Sequence, residues 1–283
     1  MTLPVFSLAL LLGAASVEAG AVPAGMVVVG PAALERATPA PKQEPIVEVK
    51  AFALDVLPVT NAQFLAFVTA QSKWQRGRAP TLFVDEHYLK AWPGPLALGA
   101  RAAPDAPVVG VSWFAARAYC ARRAARLPLT DEWELAAQAS ATSRNGARDP
   151  EHTQKILAWY AKKTPSTLPA VGKGEKNVWG VQDLHRLVWE WVEDFGAVLV
   201  SSDNRVSGEQ DIVRFCGGGA QNAVNPADYA SFMRLAFRSS LEARYTTQNL
   251  GFRCAADVAQ PRSKHKPAPV HAVEPSTERD GVR

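Results

Sequence analysis

Hydrophobic periodicity breaks off early everywhere in this sequence. Helical spacing of apolar residues holds only over short stretches, such as Phe64, Phe67 and Val68. The apolar runs of the last third (Leu184 to Trp191, Ile212 to Cys216, Met233 to Arg238, Gly251 to Cys254) are short and punctuated by glycine. Such a chain cannot build a helical bundle, and it shows no internal repeat that could stack into a solenoid. Eight tryptophans against three methionines, with 19 Gly and 21 Pro, predict a loop-rich domain pinned by a few large aromatic anchors.

At 283 residues, 47% apolar and 20% charged, the chain suits one globular domain. Its net charge of +4 comes from scattered Lys and Arg, not from a basic stripe, so no nucleic-acid partner is expected. The apolar run Val5 to Leu12 is too short to span a bilayer but fits the h-region of a signal peptide, and Val17-Glu18-Ala19 precedes Gly20 with small residues at the cleavage positions. Residues 1–19 are therefore read as a signal peptide of a secreted or periplasmic protein, residues 20–257 as the domain, and the Pro-, Ser-, Lys- and Glu-rich residues 258–283 as a disordered tail. No membrane span is expected in the mature chain. Three cysteines, at 120, 216 and 254, fit an oxidising compartment with one pair and one left over.

Strands are predicted over Met26 to Val29, Ile46 to Val49 and Phe52 to Leu54. Thr60-Asn61-Ala62-Gln63 reads as a capping box opening a helix, Ser112 as the cap of a second and Thr130 as the cap of a third. Gln71 to Pro107 is expected as a long packed loop, Gln154 to Lys162 has helical propensity, and the glycine-punctuated remainder reads as strand and loop.

Several motifs occur in a telling order: Pro58-Val59-Thr60-Asn61-Ala62-Gln63-Phe64, Pro107 to Trp113, Ala118-Tyr119-Cys120, Arg126-Leu127-Pro128-Leu129-Thr130-Asp131-Glu132-Trp133-Glu134-Leu135-Ala136, Val188-Trp189-Glu190-Trp191, Arg234 to Ser239 and Gly251-Phe252-Arg253-Cys254. In this order the chain resembles the formylglycine-generating-enzyme (sulfatase-modifying-factor) family. The resemblance implies an α+β, loop-rich variant of the C-type-lectin-like architecture, and it implies a disulfide between Cys120 and Cys254. Residue chemistry favours structural duties for most of the motif side chains: Trp133, Trp189 and Trp191 as core plates, Arg238 and Arg253 as buried donors.

The chain also departs from the family. Formylglycine-forming members bind copper through two cysteines that follow a Gly-Gly-Ser segment. Counting back from Arg234 puts Asn225 and Ala230 at those positions, and counting forward from the glycines puts Asn222 at the first; the serine has become Gly219. Copper(I) prefers thiolate or thioether ligands, which these residues lack, so thiolate-copper chemistry is not expected. Calcium-binding relatives read GNVWEW where this chain reads Arg186-Leu187-Val188-Trp189-Glu190-Trp191, which exchanges an asparagine oxygen for a cation and argues against calcium.

The candidate cleft is the glycine loop with Cys216, Gly219, Gln221, Asn222, Asn225, Asp228 and Tyr229, backed by His185 and Trp189. Cys216 reads either as a small buried side chain at a strand end or as a reactive thiol. His185 reads as a structural histidine or, with Cys216 and Glu190, as a weak metal-ligand set. The expected function is that of an accessory or maturation factor for another exported protein or small metabolite, resembling the cysteine-less relatives associated with nitrite reductase and pyoverdine maturation. The alternatives are a non-catalytic binding module on the same fold and, third, a metal-dependent oxidase using Cys216 and His185. Any enzyme activity would be oxidoreductase-like without formylglycine formation.

Overall fold

The computed structural model describes residues 22–36, 44–146, 149–196 and 226–258, the first three residues of the last segment by backbone only. The expected signal peptide, the tail beyond residue 258, and Ile212 to Cys216 lie outside these residues. Within them the architecture mixes helices and short strands with long loops, as expected.

β1 (Met26–Val29) and β4 (Phe52–Asp55) pair antiparallel with Met26 opposite Asp55, and β7 (Ala255–Asp257) joins the far side of β4 with Asp257 opposite Phe52. β4 is the central strand, and all four of its residues are buried. β2 (Ala32–Glu35) and β3 (Ile46–Val49) form a separate antiparallel pair that lays Leu34 and Val49 against the core. β5 (Trp189–Glu190) and β6 (Leu250–Gly251) are two-residue strands paired in parallel. A Cβ on Gly251 would lie 2.8 Å from the Val108 carbonyl oxygen, so the Gly-Phe-Arg-Cys motif needs a glycine to let two backbones meet there.

Local chemistry opens the helices as the sequence foretells. Thr60 and Gln63 form the capping box of α1 (Asn61–Ala70), and the Ser112 hydroxyl accepts from the Ala115 N–H at the head of α2 (Trp113–Arg122). The inner faces of these helices bring Phe64, Phe67, Tyr119 and Phe252 ring to ring, with centroids 5.3–6.1 Å apart. Residues 71–107 form the expected packed loop, with Trp74 and Trp92 buried. Cys120 on α2 is disulfide-bonded to Cys254 beside β7, as the resemblance implies; closing this 134-residue loop stabilises the fold by about 5 kcal/mol on chain-entropy grounds.

Three expectations need correction. Thr130 is the first residue of α3 (Thr130–Ala137), not its cap. Leu129 holds the cap position, and the Glu132 carboxylate accepts its N–H at 2.8 Å, while the Thr130 hydroxyl donates to Asp194 instead. Met233 to Arg238, read as strand, is helical and lies within α5 (Pro226–Ser239). Pro226 suits a first helical position, and the buried residues Ala230, Arg234 and Arg238 recur every fourth position, so arginines hide the helical period by standing where apolar residues are looked for. Trp189, read as a core plate, is only partly buried at the core's edge; Trp133 and Trp191 are the core plates. α4 (Pro150–Tyr160) starts at a proline and is capped by Asp149, whose side chain accepts from Glu151 and His152. Among the described residues no helix is long and apolar enough to cross a membrane.

Candidate functional site

α3 is buried along nearly its whole length, so it delivers Trp133 and Glu134 into two adjacent polar clusters. In the first, the Trp133 indole donates to Glu190 Oε2 at 2.7 Å, and Arg253 bridges both Glu190 oxygens at 2.8 and 2.9 Å. Arg253 also donates to the carbonyls of Asp55, Val56 and Gln182, and both charged side chains are wholly buried. Glu190 is thus consumed in a structural ion pair, with both oxygens committed to protein donors.

In the second cluster Glu134 faces two arginines of α5. Arg234 reaches it with three contacts of 2.5–3.1 Å and Arg238 with one of 2.9 Å. Burial alone would raise the Glu134 carboxyl, but Arg234 and then Arg238 outweigh it and hold the group at about 2. Arg234 also donates to Tyr160 Oη at 2.8 Å and to Ser231 Oγ at 2.7 Å, and the Arg238 guanidinium lies 4.4 Å from the centre of the Trp133 ring. One buried carboxylate therefore faces two buried guanidinium groups. Burial, and next to it the charge of Arg234, lowers the pKa of Arg238 against the pull of Glu134.

His185 borders this cluster. Its Nε2 lies 2.8 Å from the Ala137 carbonyl oxygen, which can only accept, so Nε2 carries the proton and Nδ1 is bare; no described residue bonds to Nδ1. Burial, reinforced by the charge of Arg234, pushes the imidazole down to about 3, so it is neutral at physiological pH. Its ring neighbours are Trp133 at 5.8 Å and His152 at 6.1 Å. Trp189 lies on the other side of the Arg234–Tyr160 contact, stacked between Tyr160 at 4.9 Å and Phe237 at 4.7 Å.

Of the predicted cleft, His185 and Trp189 are thus linked through Arg234 and Tyr160. Tyr229 is exposed near the start of α5. Cys216, Gly219, Gln221, Asn222 and Asn225 lie outside the described residues, as does the side chain of Asp228. Glu134, Tyr160, Arg234 and His152 are site residues that sequence reasoning missed. Two arginines four apart, in a segment free of glycine, were the available signal.

The described residues do not fit thiolate copper. Both described cysteines are consumed by the disulfide, and the Ala230 that aligns with a family cysteine buries a methyl group on α5. Nor does the calcium loop fit. The buried Asp183 carboxylate accepts from Arg186 Nε at 2.8 Å and from the N–H groups of Gly172 and Gly174, so a built-in cation already serves the oxygens a metal would need.

The sulfatase-modifying factor enzyme 1-like domain matches residues 15–258 of the chain. The chain is 28% identical over 251 residues to the inactive C-alpha-formylglycine-generating enzyme 2 of Mus musculus, covering 76% of this chain and 78% of that one. To the formylglycine-generating enzyme of Streptomyces coelicolor it is also 28% identical, over 269 residues, covering 77% and 83%. Among solved structures it matches PvdO from Pseudomonas aeruginosa with a TM-score of 0.47 and 16% identity over 82% of this chain and 94% of that one.

Proposed function

This chain belongs to the sulfatase-modifying factor enzyme 1-like family, and on that premise we propose that it is an exported accessory or maturation factor for another exported protein or metabolite, not a cysteine oxidase. The observation that carries the reading is Ala230. Where formylglycine-forming relatives are implied to hold a copper thiolate, this chain buries a methyl group, and the other implied position is Asn222 or Asn225. Neither type of side chain can bind copper(I) or pass electrons to oxygen. Similarity to a relative named as inactive agrees with that loss. The apolar N-terminal run and the Cys120–Cys254 bond support an exported setting.

Two measurements test the reading. Purified protein supplied with copper(I) and a sulfatase-type cysteine peptide is expected to form no aldehyde above a no-protein control. A deletion strain is expected to accumulate one exported protein or metabolite in an immature form, detected by intact-mass profiling and reversed by the wild-type gene. An unchanged exported fraction would overturn the maturation role and favour a binding module; aldehyde formation would overturn the loss of oxidase chemistry.

A further inference from the structure

Where α4 ends beside β5, the surface opens into a pocket of about 420 Å3, within the size range of small-molecule sites. Its lining combines two features. Aromatic rings form one part: Trp159, Tyr160 and Trp189 lie with centroids 4.9–5.5 Å apart. Tyr160 and Phe237 stack on Trp189 at interplanar angles of 24° and 30°, which leaves mainly the edge of that ring for a ligand. Trp159 meets its neighbours at tilted angles of 43° and 56°, and no described residue stacks face to face on it.

The other feature is charge. Lys162, Lys163 and Arg186 line the pocket, and among the described residues no acidic side chain does. Arg186 is partly neutralised by Asp183, whereas the two exposed lysines pair with no described carboxylate. Leu168 and Val188 make the remaining wall apolar, so a bare inorganic anion would leave most of the cavity unused.

We infer that this pocket binds a small aromatic carboxylate, with its ring on Trp159 against the edge of Trp189 and its carboxylate held by Lys162 and Lys163. Ring and charge act together: the stacking surface supplies affinity for any flat apolar group, and the lysines select the anionic one. The pocket shares Tyr160 and Trp189 with the candidate site, but the binding test does not depend on the maturation reading and leaves it untouched.

The probes are naphthalene-2-carboxylate, the neutral naphthalene-2-carboxamide and acetate, titrated into the full chain by calorimetry. Saturable binding of the naphthoate is expected, with the carboxamide weaker by about fivefold and acetate by about tenfold, the sizes of effect that a partly exposed charge contact and a stacking contact produce. The double variant Lys162→Gln/Lys163→Gln alters only exposed side chains and is expected to keep the fold, which circular dichroism checks. It is expected to bind the acid and the amide equally. Trp159→Ala is expected to weaken both by about tenfold. No saturable naphthoate binding, equal wild-type affinity for acid and amide, or undiminished discrimination in the lysine double variant would each overturn the proposal. Preferential binding of the acidic aromatic peptide acetyl-Glu-Phe-Glu would overturn it in favour of a polypeptide partner.

Discussion

Replacing Glu134 by Gln tests the charge imbalance at the heart of the site. The substitution keeps the shape but leaves Arg234 and Arg238, each almost completely buried, without a counter-charge among the described residues. Breaking a buried pair in this way costs about 3–5 kcal/mol, because uncompensated charge stays in the interior. Arg238→Met should behave differently. It forfeits one charge-assisted hydrogen bond of 2.9 Å and a stacking contact with Trp133, together about 2–4 kcal/mol. It also removes a desolvated charge that repels Arg234, and it leaves Glu134 in a balanced pair with Arg234, which still holds Tyr160 and Ser231. The offsets bring its net cost to about 0–2 kcal/mol. Urea unfolding at pH 7, followed by tryptophan fluorescence, measures both variants against wild type. If Arg238→Met destabilises as much as Glu134→Gln, the two guanidinium groups are not competing for one carboxylate, and the reasoning is wrong.

Acid should weaken the fold in two stages. His185 is held down to about 3, so its stabilisation is complete above its unfolded value near 6.5 and is lost as pH falls from there toward 3, at up to about 1.4 kcal/mol per pH unit. Burial lowers His152 in the same direction, and Glu134 adds its loss only below about pH 4.5, continuing toward 2. Urea midpoints between pH 6.5 and 4.5 should therefore flatten markedly in His185→Asn; an unchanged slope would refute the burial argument. Peptide mapping without reduction should find Cys120 linked to Cys254 and Cys216 free, and any bond to Cys216 would contradict it. If the glycine-loop cleft is used, Tyr229→Ala or Asn225→Ala should abolish complementation of a deletion strain. The Tyr229 variant should stay within about 1 kcal/mol of wild-type stability, since that side chain is exposed; retained activity in both would refute the cleft.

Features written in local chemistry were legible in the sequence. Thr60 with Gln63 and Ser112 announce their helices because a cap needs only residues three apart, and the short apolar run Phe52 to Leu54 announces all of β4 except Asp55. α5 was not legible for a physical reason. Its inner face carries Arg234 and Arg238, which can be buried only because Glu134 arrives from a helix 100 residues earlier, and no local pattern reports that partner. The offset at Thr130 has a similar origin: its hydroxyl is taken by Asp194, 64 residues away. Trp189 and His185 were picked out together, but the Arg234–Tyr160 contact that links them joins α5 to α4 and exists only in three dimensions.

The position of Arg253 and its neighbours sets an order of events during synthesis. Arg253 secures the carbonyls of Asp55 and Val56 across 198 and 197 residues, and the Asp55 carboxylate accepts the Cys254 N–H across 199. Until β7 emerges, β4 has one bare edge, Asp55 lacks one of its donors, and Cys120 waits for Cys254. The nascent chain therefore cannot complete its sheet by stages, and the long-range pairing on which it depends makes folding a late event. A ribosome stalled short of residue 250 would hold an open polypeptide in place of a smaller folded domain. On the proposed export, a chain that closes only when β7 arrives is still threadable when it meets a narrow channel.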